Sequence, residues 1–146
     1  MNNIIFPGKD YLEIDSPMYS RVKTLAEESP NKRARICIHK NHDSLIQEML
    51  IAVCKGSVIP LHRQNTPLEK SYVVMEGEMD VCFYDDAGDL SKRVKMGSVG
   101  SGRVISLRFP ADQWTEIEVL NDSVVYYEYI QGPYRPDNTE WKREGK

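Results

Sequence analysis

Apolar and polar positions change their period near residue 30. Before it, Met18, Val22, Leu25 and Ala26 recur with helical spacing and define one apolar face. Ser16 suits the N-cap of that helix, and Pro17 its first helical position, where a missing N–H costs nothing. Pro30 disfavours helical geometry in the residue before it, so the helix should stop near Glu28 and Ser29. After it, alternation with period two dominates. KRARICIHK, YVVMEG, EMDVCFYDD, RVISLRFP, TEIEVL and SVVYYEYI read as strands. The run Ile46 to Cys54 fits either a helix or a strand, and its density of Ile, Val and Cys favours strand. DDAGD, Asp85 to Asp89, marks a turn. Gly77, inside the strand-like MEGEMD, predicts a bend or bulge that brings two strands close. In VVYYEYI, Tyr127 and Tyr129 share a face while Tyr126 points the other way; barrel filling and dimer contact both account for them. Short strands separated by Gly, Pro and Asp turns suggest a barrel or sandwich. The polar tail GPYRPDNTEWKREGK should lie on the surface or hang free.

Composition narrows the functional classes. A chain of 146 residues is long enough for one domain with a real core. Its net charge of −3, from 19 basic and 22 acidic residues, offers no electrostatic reason to expect a nucleic-acid or membrane partner. No apolar run approaches the roughly 20 residues of a membrane span. The N-terminal MNNIIFPGKDYLEID lacks the basic start and apolar stretch of a secretory signal, so a cytoplasmic location is expected. Cys37, Cys54 and Cys82 are widely spaced among apolar neighbours and read as small buried hydrophobes in a reducing compartment.

The candidate chemistry sits in HRQNTPLEK, residues 62 to 70. His62 and Gln64 are two apart, so on a strand both face one cavity and Arg63 faces away. An imidazole joined by a carboxylate can hold Zn, Fe, Mn or Ni, and a glutamine carbonyl is a weaker, neutral oxygen ligand.

These residues carry a resemblance. The series Gly56, His62, Gln64, Glu69 and YVVMEG resembles the first cupin motif, and PADQWTEI resembles the second. SPNKRAR, IHKNHDSLIQEML, PLHRQ, YVVMEGEMDVCFYDDAGDL, FPADQWTEIEV and YEYIQGPYRP together resemble the WbuC-type cupin family, from about Ser29 to Pro136. That family is associated with bacterial surface-polysaccharide (O-antigen) gene clusters. The resemblance implies an all-β fold, a cupin double-stranded β-helix (jelly-roll barrel) with an N-terminal α-helix. It implies a helical extension over residues 1–30, a barrel over 31–136 and a polar tail over 137–146. It also locates departures from the family pattern. The first motif histidine is His62, and the second is replaced by Gln64. The glutamate position falls on Lys70, with Glu69 one residue early. The second-motif histidine falls on Thr115 and its glycine on Asp112.

Two uses of the same residues follow. As a metal site the ligands would be His62, Gln64 and Glu69. This set is weak beside the three strong protein ligands usual in catalytic zinc sites, and an inward Lys70 would repel a dication. As a binding site, His62, Gln64, Lys70, Tyr72 and Thr115 would offer donors to an anionic or hydroxylated small molecule, such as a sugar, a sugar nucleotide or a small carboxylate. The favoured reading is a carbohydrate- or small-molecule-binding cupin with a degraded metal site, without nucleic-acid or membrane partners. The first alternative is a metal-dependent, isomerase- or epimerase-like enzyme acting on a sugar or small acid, with His62, Glu69 and Tyr72 in acid–base roles. The second is a dimeric structural protein with a vestigial cavity; homodimerisation is expected by analogy. His39 could stand at the cavity rim, Trp114 should pack in the barrel, and Arg103 and Arg108 could reach cavity or surface.

Overall fold

The helix starts on an aspartate. Asp15, in extended geometry, accepts a hydrogen bond from the Met18 N–H at 3.0 Å, so it is the N-cap of α1, Ser16–Glu28. The cap expected at Ser16 is therefore shifted by one residue, and Pro17 occupies the second helical position, where its missing N–H is equally harmless. The helix ends at Glu28, and the Ser29 N–H returns to the Leu25 carbonyl. Residues 3–57, 59–65 and 67–142 are described by the structure, a computed structural model.

Among the described residues there are eleven strands. They are β1 (Ile4–Ile5), β2 (Arg33–Cys37), β3 (Ile46–Cys54), β4 (Leu61–Gln64), β5 (Glu69–Glu76), β6 (Glu78–Tyr84), β7 (Leu90–Gly97), β8 (Ser106–Pro110), β9 (Trp114–Val119), β10 (Ser123–Gln131) and β11 (Thr139–Lys142). One sheet has the order β1-β2-β3-β10-β5-β8 and the other β11-β4-β9-β6-β7. Neighbours distant in sequence pair across both sheets, as in β10 with β3 and β5, or β6 with β9. The fold is an all-β jelly roll with an N-terminal helix. Ile46 to Cys54 is a strand, as its composition favoured.

The larger sheet is covered on both faces. Ala34, Ile36, Leu50, Ala52 and Val125 pack against Val22 and Ala26 of the helix. The alternate residues Val53, Tyr72, Val74, Val124 and Tyr126 face the other sheet and meet Met79, Val81, Phe83 and Ile117. Each such buried side chain contributes about 1.5–3 kcal/mol relative to exposure. Tyr127 and Tyr129 share a face, with ring centroids 5.9 Å apart, whereas Tyr126 enters the barrel. The three cysteines are buried free thiols.

The structure corrects one expectation and decides two that were left open. Trp114 does not fill the barrel. Strand alternation buries Thr115, so Trp114 turns outward, where the Arg63 guanidinium lies 4.5 Å from its ring and the Lys142 ammonium 5.8 Å from it. Nor does the polar tail hang free. After the 3-10 turn Pro136–Asn138, β11 pairs antiparallel with β4, setting Trp141 opposite His62 and Thr139 opposite Gln64. Alternating polar and apolar side chains suit such an edge strand, which polarity alone does not reveal. Of the segments assigned to extension and tail, residues 1–2 and 143–146 lie outside the described residues. Arg103 and Arg108, left open between cavity and surface, both lie outside the cavity. Arg103 pairs with the buried Asp80 and with Glu78 at 3.4 Å, and Arg108 is an exposed partner of Glu69.

Gly77 links β5 to β6 with φ +81°, and a Cβ there would come within 2.4 Å of the Ser123 carbonyl oxygen. The register between β5 and β10 shifts beside it, between Val125 and Tyr126. Gly77→Ala should therefore lose more than about 2 kcal/mol of unfolding free energy, because the left-handed backbone alone costs an alanine about 1–2 kcal/mol and the carbonyl contact adds to it. Urea denaturation of the two proteins measures the difference; a loss below about 1 kcal/mol would contradict the close approach.

Candidate functional site

Between the sheets lies a cavity of about 400 Å³. Strand alternation decides which side chains reach it. On β2, Ala34 and Ile36 turn to the helix, so Arg33 and Arg35 line the cavity. On β5, Lys70 and Tyr72 turn inward, and on β10 Tyr126 and Glu128 do so. From the smaller sheet come His62, Gln64, Thr139 and Trp141.

The question of Glu69 against Lys70 has a clear geometric answer. Lys70 is 4 % exposed and its Nζ lies 3.8 Å from Glu128 Oε1. Glu69 points to solvent, 3.8 Å from Arg108. The register shift that Gly77 introduces falls beyond Tyr72, so it does not rotate the start of β5. Glu69 is thus not beside His62 and cannot act there as a ligand or a base.

His62 is buried, and its Nδ1 lies 3.1 Å from the Pro60 carbonyl. A carbonyl only accepts, so Nδ1 carries the proton and Nε2 keeps its lone pair. Burial, then the positive charge of Lys70, pushes the His62 pKa down to about 4. The imidazole is neutral at pH 7. Trp141 leans over it at 5.1 Å between ring centroids, and the Gln64 amide meets the Thr139 hydroxyl at 3.3 Å. Strand β11 thereby closes one side of the cavity. Thr115 is the cross-strand neighbour of His62, but its hydroxyl donates to the Gln113 carbonyl at 2.8 Å and does not line the cavity.

Tyr72 is fully buried, and its hydroxyl has no hydrogen-bond partner among the described residues. Leaving such a group unpaired costs about 1–3 kcal/mol. Burial and then the charge of Glu128 raise its pKa well above 10, so it remains a proton donor. The Lys70 ammonium sits 5.9 Å from its ring. His39 is buried at the rim, with Nδ1 3.0 Å from the Glu48 backbone nitrogen and its ring edge-on to Phe6 at 5.5 Å. Burial lowers its pKa too.

Sequence reasoning did not single out Arg33, Arg35, Glu128 or Trp141. The alternation in KRARIC signals that both arginines share a face, but not which face is the barrel interior. Of the charged side chains lining the cavity, four are cationic (Arg33, Arg35, Lys70 and Arg135) and one, Glu128, is anionic. Arg135 is also paired outside with Asp43 at 3.1 Å. A chain of net charge −3 therefore encloses a cationic interior. The donor set does not fit a transition metal. His62 has an engaged amide, Gln64, and the Lys70–Glu128 ion pair as its polar company, His39 and His42 line the rim, and no group of three or more His, Cys, Asp or Glu comes together among the described residues.

The neutral His62 makes stability depend on pH. Its native pKa lies below the unfolded value of 6.5, so the unfolded chain takes up the proton first. Its contribution is complete above about pH 6.5 and is lost as pH falls from there toward about 4. The loss should approach roughly 3 kcal/mol. Replacing the imidazole by a group that does not titrate, His62→Gln, should flatten that part of the profile. Urea denaturation across this pH range compares the two proteins; parallel profiles would show that His62 is not buried as a neutral group.

Known structures share this architecture. Protein SO0799 from Shewanella oneidensis superposes with a TM-score of 0.58 at 16% identity, covering 68% of this chain and 63% of that one. The capsular polysaccharide assembling protein CapF from Staphylococcus aureus gives 0.54 at 17% identity, covering 68% and 27%. Bacillus subtilis oxalate decarboxylase, a protein with Mn(II) centers, gives 0.53 at 14% identity, covering 67% and 24%. The chain thus spans less than two thirds of each of these proteins, and the likeness establishes the cupin fold alone. No curated protein matches the sequence. Residues 14–96, which run from the helix through β7, match one family along more than half of the chain, and the protein belongs to that family, described as a domain of unknown function (DUF6016).

Proposed function

We propose that this protein is a small-molecule-binding cupin whose metal site has been replaced by an anion-accepting cavity. The observation that carries the reading is the inward Lys70. A buried ammonium stands where the WbuC-type pattern would place a glutamate, beside a neutral imidazole and the unpaired hydroxyl of Tyr72. A dication is repelled there, whereas a carboxylate, phosphate or sugar hydroxyl finds donors. Glu128 and His62 Nε2 add acceptors, so a polyhydroxylated ligand can both give and take hydrogen bonds. Tyr72 gains the partner that it lacks.

A sugar or sugar nucleotide in surface-polysaccharide synthesis is the ligand class that best suits this inventory together with the WbuC-type resemblance. The role printed for CapF, in capsular polysaccharide assembly, is compatible with that setting. Binding, with His62 and Tyr72 as orienting groups, needs no metal. We further propose a homodimer, by analogy with other cupins.

Thermal-shift screening and calorimetry against nucleotide sugars and organic acids test the proposal. At least one compound should stabilise the wild type, and Lys70→Ala should lose that stabilisation; Lys70→Met, which keeps the buried stem, guards against misfolding. Metal analysis of protein purified without chelator should find well under one transition metal per chain. Stoichiometric metal lost on His62→Ala, or a ligand indifferent to both Lys70 variants, would overturn the reading.

A further inference from the structure

The cations of the interior stand on two separate strands. Lys70 stands on β5, whereas Arg33 and Arg35 stand on β2, with β3 and β10 between them. The registers run from Arg35 to Ile51, from Ile51 to Tyr126 and from Tyr126 to Val74, so Arg35 lies three interstrand steps from β5. Three steps span roughly 14 Å. Lys70 lies further along its strand, opposite Ile130. The floor between the two positions is Met49, Ile51 and Tyr126, which are apolar apart from the phenol. Glu128, the one anionic side chain of the lining, is engaged with Lys70.

At the β2 side, Arg35 Nε is buried and has no hydrogen-bond partner among the described residues. A guanidinium presents its donors in a fixed planar fork matched to an oxyanion, so a buried unpartnered Nε–H can take an oxyanion as its acceptor. Arg33 lines the same end two residues away, on the same strand face. The Cys37 thiol, which contacts Arg35, is a weak acceptor and cannot substitute for an oxyanion.

We propose that Arg35, with Arg33 beside it, forms an oxyanion subsite separate from the Lys70–His62–Tyr72 end, and that the ligand is elongated, with a phosphate or carboxylate at the β2 end. This rests on the reading of the cavity as a ligand site and specifies its second half. A sugar carrying a phosphate or diphosphate, or a long acid with a second polar head, reaches both. The apolar floor then contacts the middle of the ligand, and the two polar ends fix its direction.

Calorimetry of the full chain with inorganic pyrophosphate and with malonate, at matched ionic strength, tests the subsite. The wild type should bind one of the two; pyrophosphate identifies a phosphate source and malonate a carboxylate source. Arg35→Ala should weaken that binding by about tenfold or more, as expected for a lost charge-assisted contact. Arg35→Lys, which keeps the charge without the fork, should weaken it less, and it decides the matter if the alanine variant does not fold. Lys70→Ala should weaken it less than Arg35→Ala does. Binding of neither anion, or equal binding by wild type and both Arg35 variants, would overturn the subsite. A ligand from the wider screen that Lys70→Ala abolishes and Arg35→Ala leaves untouched would sink the subsite and leave the cavity reading standing. Insensitivity to both substitutions would sink the two together.

Discussion

The two-residue period of a β-strand, imposed on a sheet covered on both faces, is the constraint on which the rest of the molecule depends. In the larger sheet one face must be apolar to meet the helix, and Ala34, Ile36, Leu50 and Ala52 satisfy it. Their alternates must then enter the jelly roll, whatever their chemistry. That is how two arginines and a lysine come to line an interior. A slip of one residue in β5 would exchange Lys70 for Glu69 and invert the character of the site. The close approach at Gly77 pins the far end of the strand, where the register with β10 changes, and leaves Lys70 and Tyr72 on the inner face.

Electrostatics sharpens what packing begins. The buried Lys70–Glu128 pair keeps one ammonium tolerable in the interior, since an uncompensated charge at that depth would cost several kcal/mol. His62 responds to the same field by staying neutral. Its proton is directed to the Pro60 carbonyl and its lone pair is retained at Nε2. The outcome is a cavity with fixed cations, a neutral imidazole and an unsatisfied phenol, enclosed by a chain whose overall charge is negative. On the outside, Arg63, Trp114 and Lys142 form a separate cation–aromatic stack that ties β4, β9 and β11 together. The strand that carries the first motif is thus held from both of its faces.

Much of this was legible from residue patterns. Helical spacing from Met18 to Ala26, the proline at residue 30 and the alternating runs identify one helix followed by a β-fold, because these periods reflect local backbone geometry. The shared face of His62 and Gln64, the bend at Gly77 and the opposed directions of Tyr126 and Tyr127 are equally local. Local too is the pairing of Arg33 with Arg35 on one side of a strand.

Which side that is depends on what covers each face of the sheet, and only tertiary structure decides it. Period two states that Glu69 and Lys70 oppose one another, but not which of them is buried; the answer came from the pairing of β5 with β10 and β8. Trp114 turned outward for the same reason. The capping of the cavity by Trp141 lay beyond any local signal, since β11 meets β4 across more than seventy residues of sequence, as in the Gln64–Thr139 bond. Sequence alone determined the helix, most of the strands and the faces within each strand. The assembled sheets determined which faces turn inward, because burial belongs to the contacts between elements and not to any one of them.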